Sequence, residues 1–237
     1  MNSNIPLYVI NLARDIDRWK SVLQETVDSP FKTIRVDAIN ASDLPQQDFV
    51  SSGVNAAWLS HLKAMRSFLD SDAQFAVIAE DDFHINNPSR LKSRIEKLSL
   101  NDWDMVQLGF LKPGLDTRVK ISFANVESLV FRFIGIIGSS FLFSNMRFTS
   151  RMRVSQSLGI PKGYVLDDCQ PGAHFYLVRR SFCEAIIQLN SPQFLSIDDF
   201  FTALSRMRTF RMLRSKRSLS TQKPFSAWSG PRFKRHL

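Results

Sequence analysis

Glu80, Asp81 and Asp82 stand in a row directly after the apolar run Phe75-Ala76-Val77-Ile78-Ala79. A short apolar, β-branched run reads as a buried strand. Three acids crowded at its carboxyl end repel one another and resist desolvation unless a cation joins them. A divalent metal meets that need, because hard cations take carboxylate oxygens. Ligands of open α/β sheets also lie beyond the carboxyl ends of strands. The residues therefore point to a metal–phosphate site; the plainer alternative is a solvated acidic turn. Asp82, furthest along the turn, is the expected direct metal ligand. Glu80 is expected to hold a ribose hydroxyl, or the metal through water, and Asp81 could instead point away and be structural.

Three further sets of residues could take part. Asn11, Arg14 and Arg18 follow a first strand, with the two arginines four apart and so on one helical face. Guanidinium groups there can grip a diphosphate bidentately, or simply pair with Asp15 and Asp17. Ser60, His61 and Lys63 lie on a helix with Trp58, where His61 borders the apolar stripe and serves either as ligand or as a hydrogen-bonded structural residue. Asp198 and Asp199 open a late helix; either could act as a general base toward a hydroxyl, or cap the helix.

The elements that must carry these groups alternate in type. Leu7–Ile10 reads as a strand, and Asp15–Val27 as a helix whose apolar face is Ile16, Trp19, Leu23 and Val27. Thr33–Val36 is a strand, and a polar loop from Asn40 to Ser52 follows. A helix from Asn55 places Trp58, Leu62, Met65 and Leu69 on a core, before the Phe75–Ala79 strand. Leu91, Ile95 and Leu98 mark a helix, Met105–Leu108 a strand, Phe175–Val178 a late strand, and Phe182 to Leu189 a helix. Residues 110–173 mix Gly and Pro with short apolar pieces and read as loops with a few short strands, where an acceptor could be recognised. Within them, Leu129–Phe143 is too short to span a bilayer and contains Arg132. The pattern predicts an α/β fold with a mainly parallel central sheet and helices on both faces.

Composition is that of an ordinary globular chain, with 44% hydrophobic and 22% charged residues in 237. Cys169 and Cys183 make neither a disulfide framework nor a metal-ligand spacing, which favours a reducing compartment. Met1–Pro6 shows no signal-peptide pattern, so a cytoplasmic protein is expected. The net charge of +9 is uneven: no acid follows Asp199, whereas ten of the 31 Lys and Arg do, leaving 21 basic against 22 acidic residues before that point. One domain over residues 1–203 with a basic tail over 204–237 is the expected organisation. Such a tail suits an anionic partner, and Phe210, Met212, Leu213, Phe225 and Trp228 would add apolar contacts to an anionic inner-membrane surface; a solvated end is the alternative. Sparse aromatic interleaving and the lack of a reading motif argue against nucleic acid.

Taken together the motifs resemble glycosyltransferase family 25, which includes bacterial lipooligosaccharide β-galactosyltransferases. The resemblance rests on Ile10-Asn11-Leu12 with Arg14 and Arg18, Arg35-Val36-Asp37-Ala38, Leu59-Ser60-His61-Leu62-Lys63, Glu80-Asp81-Asp82, and Trp103-Asp104 leading to Leu108-Gly109. Late in the chain Gly172, Tyr176-Leu177-Val178, Arg180, Ile197-Asp198-Asp199 and Gln222 add to it. Ala56 and Ala79 depart from the family's usual residues, and residues 110–171 show no family signal.

The resemblance implies a GT-A-like fold, a donor-binding half over 1–109, an acceptor-side half over 110–203, and inversion at the anomeric carbon. It implies a nucleotide-sugar donor, UDP-galactose first, and a lipooligosaccharide or other glycan acceptor. Asp82 with Glu80 would bind Mn²⁺ or Mg²⁺. Asn11, Arg14, Arg18, Asp37, His61, Lys63 and Glu80 would line the donor pocket, and Asp198 or, with a slight preference, Asp199 would be the base. A two-carboxylate glycoside hydrolase, a nucleic-acid-binding module led by the tail and a family member that no longer transfers are the competing readings.

Overall fold

The computed structural model describes residues 5–45, 50–98, 101–111, 160–166, 169–189, 195–207 and 210–223. Most of the segment from 110 to 173, including Leu129–Phe143, and the end of the chain with Phe225 and Trp228, lie outside the described residues.

The first half is built from strand–helix–strand units. β1 (Ile5–Asn11) leads through α1 (Ile16–Thr26) to β2 (Phe31–Asp37), which pairs with it in parallel. α2 (Ser52–Leu69) then crosses to β3 (Phe75–Glu80), which pairs in parallel with the other edge of β1. The chain thus departs from β1 in opposite directions, and the carboxyl end of β1 is a switch point where a crevice opens. Asn11 ends β1 there, Asp37 ends β2 and Glu80 ends β3. After β3 come a short β4 (Phe83–Ile85), α3 (Pro88–Leu98) and β5 (Met105–Gly109). β6 (Tyr164–Leu166), β7 (Phe175–Arg179), α4 (Arg180–Gln188), α5 (Ile197–Met207), β8 (Met212–Ser215) and β9 (Ser220–Gln222) complete the described elements.

Among the described residues the strands form one nine-stranded sheet, ordered β2-β1-β3-β7-β5-β8-β6, with β9 joining β5 to β4. β1, β2, β3, β5, β8 and β9 run one way; β7, β6 and β4 run the other. The sheet is therefore mostly parallel, but an antiparallel strand sits at its centre. That reversal brings the amino end of β7 to the same edge as the carboxyl ends of β1, β3 and β5.

Both faces of the sheet are covered, as near-continuous apolar strands require. Alternate residues feed two cores. Tyr8, Ile10, Ile78, Tyr176 and Val178 meet Trp58, Leu62 and Met65 of α2, Phe182 and Ile186 of α4, and Phe201 of α5. Leu7, Val9, Val77, Phe175 and Leu177 meet Val22 of α1 and Leu91, Ile95 and Leu98 of α3. Burying a Leu, Ile or Phe in either core contributes roughly 1.5–3 kcal/mol.

Two expectations are corrected. Only Trp19 of the apolar stripe of α1 packs against the core: Ile16, Leu23 and Val27 are 58%, 44% and 75% exposed, while Val22 and Thr26 are buried. The sheet face under α1 is already filled by Phe83, Ile85 and Phe31, which leaves room for a narrower helix face. Nor does a separate tail begin at 204. α5 runs to Met207, and β8 and β9 pair with β5 inside the sheet. Met212 and Leu213, expected at a membrane surface, are fully buried because they form that strand, and Phe210 packs half-buried on the α2–α4 core. Arg211 donates to the Asp102 carbonyl at 2.7 Å, so part of the basic charge serves the fold. No helix among the described residues is long and apolar enough to cross a membrane.

Candidate functional site

The acid turn lies at the crevice, and its three carboxylates have unlike surroundings. Asp81 is buried, accepts from Asn11 Nδ2 at 2.6 Å, and pairs with Arg18 Nη1 at 2.9 Å. Burial raises its carboxyl above the usual range, and the Asn11 hydrogen bond and Arg18 charge oppose this. Asn11 is itself buried and spends the same amide on the Asp15 carbonyl at 3.2 Å. These three residues close the corner between β1, α1 and β3.

Glu80 and Asp82 face elsewhere. Glu80 Oε1 lies 3.4 Å from Nε2 of His61, and its backbone N–H donates to the His174 carbonyl at 3.1 Å. Burial alone would raise Glu80, but the His61 hydrogen bond and charge, with His174 and Arg18 behind it, outweigh that and hold the carboxyl below its ordinary range. Asp82 goes the other way. Burial, then the Glu80 and Asp81 charges, push it up to about 7 against the pull of Arg18. Its Oδ1 is buried and has no hydrogen-bond partner among the described residues. A buried carboxylate oxygen without a partner is rare and costly, and calls for a proton or a cation.

His61 holds the floor of this site. It is 1% exposed; its Nδ1 lies 2.8 Å from the Tyr176 hydroxyl, on which its ring stacks, and its Nε2 faces Glu80. α2 can place it there because Ser51 accepts from the Val54 N–H at the helix start, and because Ser60 donates to the Ala56 carbonyl while accepting from the Ile39 N–H at 2.9 Å. The second of these contacts ties the end of β2 to the helix. Lys63, one turn away, donates to the Asp37 carbonyl at 2.8 Å, and Arg14 reaches Asn40 at 3.4 Å. Asp37, Lys63 and Arg14 are exposed on the rim rather than in the crevice floor.

The late chain supplies the opposite wall. Asp198 Oδ1 accepts from the Ala173 N–H at 2.6 Å; burial and the Glu80 charge raise its carboxyl, while that hydrogen bond and His61 oppose the rise. Its neighbour turns outward: Asp199 is exposed and its Oδ2 accepts from the Ser196 hydroxyl at 2.8 Å, while its N–H donates to the same Oγ at 3.1 Å. That is reciprocal capping at a helix start. The geometry thus favours Asp198 over Asp199 as the acid that faces the site, reversing the expected preference. At N2 of α5, Asp198 points back to the 172–174 backbone, whereas at N3 Asp199 is taken by the cap.

Four participants were not named as site residues from sequence, although Gly172 and Tyr176 belong to the motifs that carry the resemblance. His174 is fully buried at the amino end of β7; burial lowers its imidazole, Glu80 opposes this, and its Nδ1 has no partner among the described residues. Tyr176 carries His61. Gln107, buried on β5, donates to the Gln170 and Gly172 carbonyls at 2.6 and 3.1 Å and accepts from the Gln170 N–H at 2.8 Å, clamping the segment that leads to His174. Gly172 has φ +111°, and a Cβ there would stand 2.9 Å from the Leu111 nitrogen, so only glycine fits. The available signal was a glycine and a histidine just ahead of an apolar strand, but local sequence does not show that this strand runs backwards.

The structure therefore brings Glu80, Asp82, His61 and Asp198 to one edge. It diverts Asn11 and Arg18 to Asp81, and leaves Arg14, Asp37 and Lys63 on the rim. Among the described residues no three His, Cys, Asp or Glu side chains gather as a ready metal cage. Asp82, with an oxygen unpartnered among the described residues, and Glu80 could offer at most two carboxylates to a cation. That suits an octahedral cation completed by waters and substrate phosphates better than an all-protein site.

No family model matches the chain, and no curated protein matches it. Among solved structures, one titled "Crystal Structure of A197 from STIV" is similar over 90% of this chain and 82% of its own, at 13% identity and a TM-score of 0.39. A likeness at that score carries no argument for fold or function.

Proposed function

We propose that the chain is an inverting, cation-dependent glycosyltransferase of GT-A-like fold that takes a sugar from a nucleoside-diphosphate donor. The observation that carries this reading is the buried Oδ1 of Asp82, without a partner among the described residues, at the switch point of the sheet. It faces the same edge as a second, separately raised acid, Asp198. Two carboxylates with different environments can take different roles.

Asp82 and Glu80 would hold Mn²⁺ or Mg²⁺ beside the donor diphosphate. When bound, the cation supplies positive charge where the leaving diphosphate gains negative charge. Asp37, at the end of the strand beside β1, is placed as ribose-binding acids are in nucleotide-binding sheets. Lys63 and Arg14 add positive charge on that rim. His61, braced by Tyr176, keeps the Glu80 carboxylate ionised and oriented. Asp198 would accept the proton of the acceptor hydroxyl as its oxygen attacks the anomeric carbon. The bond from that carbon to the diphosphate oxygen breaks, and the diphosphate leaves with the electron pair. A base whose carboxyl lies above the usual range is better matched to this task near neutral pH than a fully solvated one.

Galactose as the sugar, uridine as the nucleoside and a lipooligosaccharide or related glycan as acceptor follow from the motif resemblance. A place at the cytoplasmic side of an anionic membrane follows instead from the cysteine usage and the basic late segment. The test is release of UDP from a panel of UDP-sugars, with and without Mn²⁺, in parent and Asp82→Asn protein. Cation-dependent release that the variant loses supports the reading. Equal release by the variant contradicts it, and sugar release that needs neither nucleotide nor cation would point to hydrolysis by two carboxylates.

A further inference from the structure

The acid turn is tied to the last described strand through one residue. The backbone N–H of Lys223 donates to the Asp82 carbonyl at 2.6 Å. Its ammonium group reaches back to α1, donating to Ser21 Oγ at 2.8 Å and pairing with Glu25 Oε2 at 3.1 Å. The other oxygen of Glu25 accepts from the Ile85 N–H at 2.7 Å and lies 3.0 Å from Nδ1 of His84. Ile85 and His84 belong to β4, the strand that begins immediately after Asp82, and β4 pairs with β9 from Phe83↔Gln222 to Ile85↔Ser220. Glu25 therefore grips β4 and Lys223 together and holds both to α1. Both partners are largely covered, at 15% and 22% exposure.

Asp82 sits at the junction. β3 fixes the chain before it, the Glu25–β4 contacts fix the chain after it, and Lys223 fixes its own peptide oxygen. Ion pairs at a surface contribute little to stability. A carboxylate that must meet a cation, by contrast, needs its geometry set by the residues behind it. We propose that Lys223, held by Glu25, is a positioning residue that fixes the Asp82 carboxylate for cation and diphosphate binding. This rests on the reading of Asp82 given above. It also assigns part of the late basic segment an internal task, different from contact with an anionic partner.

The test uses the full chain as parent, Lys223→Met, Lys223→Arg and Glu25→Gln. Mn²⁺ affinity is measured by electron paramagnetic resonance at fixed UDP, well below the melt. Amide hydrogen exchange over residues 80–85 is measured without metal or nucleotide. Lys223→Met should weaken Mn²⁺ binding about tenfold and speed exchange at residues 82–85. Lys223→Arg should recover most of both, and adding Glu25→Gln to Lys223→Met should change affinity less than the two single effects multiplied. Parent-like Mn²⁺ affinity in Lys223→Met overturns the proposal, even if exchange rises, because Lys223 is then only structural. If the parent itself binds no Mn²⁺ with UDP, the cation reading fails first and the positioning role falls with it.

Discussion

Asp81 and Asp82 are adjacent, follow the same strand, and live in different conditions. On the Asp81 side the carboxylate is engaged: a guanidinium at 2.9 Å and an amide at 2.6 Å satisfy it, while Oδ1 of the same Asn11 amide is buried without a partner among the described residues. On the Asp82 side an oxygen is buried without a partner among the described residues, Glu80 and Asp81 repel it, and burial with those charges pushes its carboxyl up to about 7. The lesson is that a run of acids is not one site. A fold can neutralise one member internally to hold the turn in place, and leave its neighbour under electrostatic stress that a cation would relieve.

The largest effect should come from the stressed side. Asp82→Asn is expected to lower cation-dependent UDP release at least 100-fold, the size typical of losing a group that stabilises developing charge. Asp198→Asn should follow, with transfer reduced by roughly 10²–10⁴ and UDP binding near parental. Asp199→Ala should stay within about twofold and cost about 0.5 kcal/mol as a lost capping contact. A large transfer defect in Asp199→Ala with a mild one in Asp198→Asn would invert the assignment of the base.

The Asp81 side makes the opposite prediction, in stability rather than turnover. Arg18→Met leaves Asp81 buried beside Asn11 alone and should cost about 2–3 kcal/mol at pH 7 by chemical denaturation. The cost should shrink toward pH 4 as Asp81 protonates, and Asp81→Asn in the same background should recover most of it. An Arg18→Met protein as stable as the parent would mean that Asp81 is not held by charge.

A smaller effect is the pH profile of the metal-free protein. Asp82 is raised from 3.8 to about 7 on folding, so the folded state keeps a proton that the unfolded state releases between those values. Its contribution therefore favours folding at low pH and declines as pH rises from about 4 to 7, flat beyond. After allowance for solvent screening the change is about 2 kcal/mol. Asp82→Asn should remove that slope and be the more stable protein at pH 8; an unchanged slope would place the stress elsewhere.

The acid turn and the first half of the sheet were legible in sequence because their signals are local. Strands such as Phe75–Glu80 and helices such as Ser52–Leu69 are strongly periodic, and Glu80-Asp81-Asp82 are contiguous. Which acid would be neutralised was not legible, since it depends on Arg18 arriving from another element. The far wall was harder still. β7 had the pattern of a buried strand, but its direction, which delivers His174 to the site, is set by pairing with β3 and β5. β8 and β9 were hidden because basic residues dominate that stretch, while its buried Met212, Leu213, Leu219 and Ser220 are too short a run to outweigh the charge pattern. α1 misled for a different reason: its apolar spacing is helical, yet the face it buries is Val22 and Thr26 with Trp19 beside them, not the Ile16–Leu23–Val27 side.

The most direct measurement is a Mn²⁺ titration followed by electron paramagnetic resonance in the presence of UDP, on parent and Asp82→Asn protein. One cation per chain in the parent, bound at least tenfold more weakly by the variant, is the expected result. Equal binding by both proteins, or none by the parent, would contradict the assignment of the stressed carboxylate to a cation.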